Sequence, residues 1–240
     1  MSENKTDHEL TAAETADLHA DLQQQPAHDV VSRAVIKNGV LAAAEDPQAA
    51  VRLNRTFSVE LDTGKVSNQK HSGRCWLFST LNTIRHQFAA KYNVKDFELS
   101  QSYLFFWDKV ERANIFYDNI LRTADKPIDD REVAFYLSRP GDDGGQWAMG
   151  AALVQKYGVV PTSAMPESFN TNDTTGFATT LNLKLRKDAL ALRQLVADGA
   201  TEDQIATTRA QALKEVYRMA AYSFGEPPTT FDLEYKDDKH

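Results

Sequence analysis

Apolar positions recur at helical spacing through most of this chain. From Cys75 onward, Leu77, Phe78, Leu81, Ile84, Phe88 and Tyr92 recur along one side of a helical turn, predicting a buried helix over about 75–91. Ser100 can cap the next helix. Tyr103, Trp107, Val110, Asn114, Tyr117 and Leu121 share one of its faces, with Phe106, Ala113 and Ile120 beside them, as far as about residue 122. Shorter helices are predicted at 131–138 and 146–157. Longer ones follow over Leu181 to Val196, from the stripe Leu185, Ala189, Leu192, Val196, and from the capping-box spacing Thr201-Glu202-Asp203-Gln204. Gly225 and the following prolines close the last helix.

The N-terminal part is less regular. Residues 1–27 are polar and Gln-rich, a helical or loosely ordered arm, and 29–44 carry a helical pattern that Gly39 weakens. Phe57-Ser58-Val59-Glu60-Leu61 alternates as a short strand does, with a turn expected at Asp62-Thr63-Gly64-Lys65. Residues 123–130, the Gly-rich stretch 139–145 and the polar stretch 162–176 read as breaks. This organisation suggests three parts: an N-terminal helical arm at 1–54, a lobe at 55–170 and a helical insertion with its tail at 171–240.

Composition narrows the function classes. With 42% hydrophobic and 25% charged residues the chain has ordinary globular makeup, and its 240 residues suffice for a core without disulfide staples. A net charge of −7 argues against nonspecific nucleic-acid binding. No apolar run is long enough to span a membrane, and the acidic N-terminus does not read as a secretory signal. A single cysteine excludes an intramolecular disulfide and fits a cytoplasmic location.

That cysteine carries the candidate chemistry. Cys75 opens the first long helix, where the positive end of the macrodipole and free N–H groups favour a thiolate. Arg74 is expected to add positive charge. Gln69, six residues upstream, can fold back so that its side-chain amide and the Cys75 backbone N–H form an oxyanion hole. Taken alone, a lone cysteine before an apolar helix is usually a small buried hydrophobe.

The surrounding residues favour the reactive reading. Ser72-Gly73-Arg74-Cys75-Trp76 resembles the signature around the papain-type cysteine. The longer run from Asn68 resembles the bleomycin hydrolase/aminopeptidase C branch of the papain-like cysteine peptidases. Two further segments agree, Leu99 to Lys109 and Gly144-Gly145-Gln146-Trp147 through Pro161 to Ser168.

The resemblance implies an α+β papain-like fold, of which this chain carries the mostly α, helical lobe, with the β-rich lobe largely missing. It implies a thiol aminopeptidase with Cys75 as nucleophile and Gln69 in the oxyanion hole. Gly144, Gly145 and Trp76 would bind the peptide substrate, with no metal and no cofactor. A complete member is expected to be a homohexamer. In secreted members the residue matching Ser72 is a disulfide-bonded cysteine, so a serine there suits a cytosolic branch.

The same family needs a histidine base and an orienting asparagine well beyond the cysteine. Only His86 and His240 follow Cys75. His86 lies eleven residues along the same helix, about 16 Å of rise away. His240 stands last in a charged tail, and His71, four residues before the cysteine, reads as a surface residue. The expectation is an N-terminal half that is inactive alone. The alternative is a non-catalytic peptide-binding or assembly remnant, and a helical scaffold with Cys75 as packing is a third reading.

Overall fold

A computed structural model describes residues 10–53, 56–61 and 64–237. The chain divides into two compact units, residues 1–61 and 62–240.

The first unit holds four helices: α1 (Ala12–Gln24), α2 (His28–Asn38), α3 (Val40–Ala44) and α4 (Pro47–Arg52). Thr11 and Glu14 close a reciprocal capping box on α1, which explains why the polar arm is helical. Gly39, at φ +80°, splits the expected 29–44 helix into α2 and α3. None of the four helices buries a residue. Phe57 to Leu61 is not a strand: no segment among the described residues pairs with it, and Phe57, Val59 and Leu61 are exposed. Alternation alone cannot satisfy a strand's backbone without a partner. Asp62 and Thr63 of the expected turn lie outside the described residues.

The second unit is built around one long helix. Here lie α5 (Cys75–Tyr92), α6 (Gln101–Arg122), α7 (Arg131–Ser138), α8 (Trp147–Tyr157), the one-turn α9 (Phe169–Asn172), α10 (Thr175–Ala197) and α11 (Glu202–Phe224). Helix α6 packs against α5, α7, α8, α10 and α11. Its Leu104, Phe105, Phe106, Ala113, Tyr117 and Ile120 are fully buried, and Leu181, Leu185, Ala189, Val216 and Ala220 of α10 and α11 meet them in one core. Thus the helices after residue 170 share the core of those before it.

Caps set several boundaries. Ser100 accepts from the Tyr103 N–H, Asp130 from Glu132 and Val133, and Thr201 and Gln204 form the expected box. The polar stretch 162–176 departs from expectation. It contains α9, closed by a box between Ser168 and Thr171, and α10 starts at Thr175 rather than near 181. Threonine-rich sequence hid both starts, because side-chain oxygens rather than apolar periodicity set them.

Among the described residues there is no β-strand, only two isolated bridges, His71 with Asp173 and Leu99 with Pro161. The second is held by Ser100 N–H to the Val160 carbonyl (2.9 Å) and Thr162 N–H to the Glu98 carbonyl (3.0 Å). It fixes the loop after α8 beside the start of α6. No described helix is long and apolar enough to cross a membrane.

Helices α5 and α8 approach closely at Gly150. A Cβ there would stand 2.6 Å from Thr80 Oγ1, and that buried hydroxyl is committed to the Trp76 carbonyl at 2.8 Å. Gly144, by contrast, has nothing within 4 Å of where a Cβ would be. Gly150→Ala should therefore cost about 1–3 kcal/mol in denaturant unfolding through overpacking. Gly144→Ala should fall within about 0.5 kcal/mol of the parent.

Candidate active site

The loop 68–74 delivers the chain to the start of α5 through a dense set of local hydrogen bonds. Asn68 Oδ1 accepts from the Lys70 N–H at 2.8 Å, and Lys70 takes a left-handed φ of +54°. Ser72 is the hub. Its hydroxyl donates to the Gln69 carbonyl (2.6 Å) and accepts from Arg74 Nε (2.9 Å), while its own carbonyl accepts from Gln69 Nε2 (2.7 Å). The Gln69 side chain is thereby turned back along the loop. A carboxamide has two N–H donors, and the Ser72 carbonyl uses one.

Cys75 follows as the first residue of α5 and is exposed. As at any helix start, its own N–H lacks an intrahelical acceptor, while the Leu77 and Phe78 N–H groups already donate to the Arg74 carbonyl at 2.9 and 3.1 Å. Cys75 and Gln69 line the same cleft, of about 1090 Å³. Asn68, Ser79 and Asn82 give it a polar wall, and His86 and Gln87 mark its far end along α5. The helix is continuous from Cys75 to Tyr92, so His86 stays about 16 Å of rise from the sulfur's residue. His71 is exposed and engaged through its backbone. Its N–H donates to the Asn172 carbonyl (2.9 Å), and its carbonyl accepts from the Thr174 N–H (3.2 Å). His240 lies outside the described residues.

Arg74 does not act as expected. Its guanidinium is fully buried rather than presented to the thiol. It makes a two-pronged contact with Glu167, Nη1 to Oε1 at 3.0 Å and Nη2 to Oε2 at 2.7 Å, and lies over the rings of Phe78 and Phe105. Ser102 donates to the same carboxylate at 2.9 Å. Burial alone would raise the Glu167 pKa, but the hydrogen bonds and charge of Arg74 outweigh it and hold the carboxyl below its usual range. The positive charge beside Cys75 in sequence is thus spent on joining the loop to the segment before α9.

The glycine turn is tied to the same loop. Gly145 sits on the face of the Trp76 indole, where a Cβ would lie 2.5 Å from the ring. Trp76 is buried, and its indole N–H donates to the Asp143 carbonyl at 2.9 Å. Trp76 therefore supports Gly145 directly. Gly144, Gly145 and Trp76 stand outside the residues lining the Cys75 cleft. The Asp143 carboxylate accepts from the Gly73 N–H at 3.4 Å, and Gly73 must be glycine because a Cβ would meet Asp143 Cβ at 2.7 Å. Glu167, Lys109 and Asp143 were given no individual role in the sequence, and Ser72 was noted only for the cysteine it replaces. Nothing local marks them, since their partners lie 32 to 93 residues away apart from Ser72's own loop.

Comparison with known proteins adds to this geometry. Residues 9–240 match the model of the peptidase C1-like family. This chain belongs to that family. It is 58% identical to aminopeptidase E of Lactobacillus helveticus over 96% of its own length and 52% of that protein's. It is 46% identical to aminopeptidase C of Lactobacillus delbrueckii subsp. lactis, over 92% of this chain and 49% of the relative. The crystal structure of PepW from Lactobacillus rhamnosis superposes with a TM-score of 0.92 at 52% identity, covering 97% of this chain and 52% of that one. The chain thus spans about half the length of the relatives it matches. Its described residues form a helical part of a papain-like peptidase fold.

The Arg74–Glu167 pair gives a pH-dependent prediction. A carboxyl whose folded pKa lies below its usual 4.5 contributes stability that is present above that value and lost as pH falls through the folded pKa. Acid unfolding of the parent should show that loss below about pH 4.5. Arg74→Met, which strands a half-buried carboxylate, should lose about 3–5 kcal/mol near neutrality and flatten the slope. Denaturant titrations at several pH values measure both.

Proposed function

We propose that this chain carries the nucleophile side of a cysteine-type aminopeptidase site. The observation that supports it most is the placement of Cys75, exposed at the first turn of a buried helix, in one cleft with an amide-bearing Gln69 held by Ser72. The thiolate would attack the scissile carbonyl, forming the C–S bond as the carbonyl oxygen takes up negative charge. The second Gln69 N–H and the Cys75 backbone N–H would then donate to that oxygen. The glycine turn over Trp76 would receive the peptide backbone. The aminopeptidase names of the relatives support peptide substrates processed from the N-terminus. A lone thiol used this way fits a reducing compartment such as the cytoplasm.

The general base comes from outside the described residues in this reading, because the continuous α5 keeps His86 well down the helix from Cys75. The family resemblance assigns that role to a histidine of the β-rich part of the fold, in a homo-oligomeric enzyme. The same observation gives the second reading its support: described residues that offer the cleft without a base within reach of Cys75 suit peptide binding without turnover.

Two measurements separate these readings. Iodoacetamide should alkylate Cys75 fully in the folded chain at neutral pH, and resistance until denaturation would reject the nucleophile role. When complemented by a base-bearing partner half, the chain should hydrolyse aminoacyl-arylamides. Gln69→Ala should then lower kcat about 10²–10³-fold, as the loss of an oxyanion donor does. Peptide binding without hydrolysis in the complemented protein would favour the non-catalytic reading.

A further inference from the structure

Lys109 is a lysine of helix α6 with no solvent exposure. Burying an ammonium costs several kcal/mol unless it is closely partnered, so its surroundings show what it is for. Its Nζ lies 2.8 Å from Asp143 Oδ1, an ion-pair contact, and donates to the Asp142 carbonyl at 2.8 Å and the Gly141 carbonyl at 3.4 Å. It also sits 4.5 Å from the centre of the Phe105 ring. The nearby Asp108 is not its main partner: Asp108 stands 3.5 Å off and is held by both oxygens to Arg112 Nε at 2.8 Å. Arg112, one turn further along α6, donates to the Gly144 carbonyl. Two cations on one helix therefore gather three carbonyls of the turn 141–144.

What this turn touches is the approach to Cys75. Asp143 takes the Gly73 N–H with its carboxylate and the Trp76 indole N–H with its carbonyl. Gly73 and Trp76 flank Cys75 at two residues before and one after. Gly145 rests on the Trp76 ring. The hydrogen bonds from Gly73 and Trp76 that set the loop against the glycine turn both end on Asp143.

We propose that Lys109 is a positioning residue, acting through Asp143 to hold the Cys75 loop and the glycine turn in one fixed relation. This rests on the reading of Cys75 as a nucleophile with a peptide edge beside it. Hydrogen bonds from Gly73 and Trp76 orient the two sides, and the buried ion pair fixes the aspartate that receives them. The proposal concerns recognition of a peptide at the thiol rather than the thiol's own reactivity.

The test compares two alkylating reagents on the full chain. Iodoacetamide needs only the thiolate, which displaces iodide to form a thioether. An aminoacyl chloromethyl ketone forms its thioether by displacing chloride, but gains rate from correct seating beside the glycine turn. The ratio of the two rate constants therefore reads positioning and cancels changes in thiol reactivity. Asp143→Asn keeps an oxygen for the Gly73 N–H but removes the ion pair. The double variant Lys109→Met with Asp143→Asn removes both buried charges and so leaves neither one unpaired. Each variant is first checked for the parent's far-ultraviolet circular dichroism and cooperative melting.

Both variants should lower the ratio about tenfold or more, in line with the rate lost on small misplacements. They should agree with each other within about twofold, because residues acting through one contact are not additive. A ratio that stays within about twofold of the parent in either folded variant overturns the proposal, as does a double variant that falls more than about twofold below Asp143→Asn. If the parent reacts with neither reagent, the nucleophile reading fails, and this inference falls with it. A parent that reacts with both at ordinary thiol rates, showing no preference for the peptide-like reagent, overturns the positioning role while leaving the nucleophile in place.

Discussion

The buried guanidinium of Arg74 is the constraint around which the second unit is arranged. It stands at the residue just before α5 and lies inside the core, where an unpaired charge would be prohibitively costly. Glu167 has to come to it, and with Glu167 comes the segment between the Leu99–Pro161 bridge and α9. Ser102 completes the carboxylate from the first turn of α6. One ion pair thus joins the starts of two helices and a loop 93 residues distant, and the direction in which Cys75 leaves the core follows from that join.

Buried charges recur at the next layer. Lys109 and Asp143 do for the glycine turn what Arg74 and Glu167 do for the loop after α8. Asp108, locked to Arg112, has its carboxyl pKa pushed up by burial, although both neighbouring cations pull it down. Such pairs contribute little net stability compared with apolar packing, but losing either member is expensive. They therefore specify one arrangement and reject near alternatives. The apolar core of α6, α10 and α11 supplies the stabilisation, and the charged contacts select the loop conformations laid on it.

Much of the helical frame was legible in the sequence, because apolar periodicity is local. α5, α6, α7, α8 and α11 begin and end near where their caps and stripes predict. The errors fall where local pattern and tertiary context disagree. Phe57 to Leu61 has a strand's alternation but no partner strand. Thr175 opens a helix six residues before its first fully buried leucine, Leu181. On α6 Tyr117 of the expected face is fully buried together with Phe106, Ala113 and Ile120 beside it, while Trp107, Asn114 and Leu121 are half-buried. At the site, the position of Cys75 at the start of α5 was legible, whereas the burial of Arg74 was not. A charged residue next to a cysteine looks like an electrostatic aid until its long-range partner is seen.

Ser72 has a consequence of its own. Where secreted proteins of this resemblance close the loop with a covalent sulfur bridge, here three hydrogen bonds meet at one serine. Each is worth only about 1 kcal/mol net, and none requires an oxidant or a folding catalyst to form. The closure can therefore melt and re-form on its own, and it assembles in the same equilibrium as the rest of the fold. The loop needs no separate curing step after synthesis, and reductants cannot dismantle it.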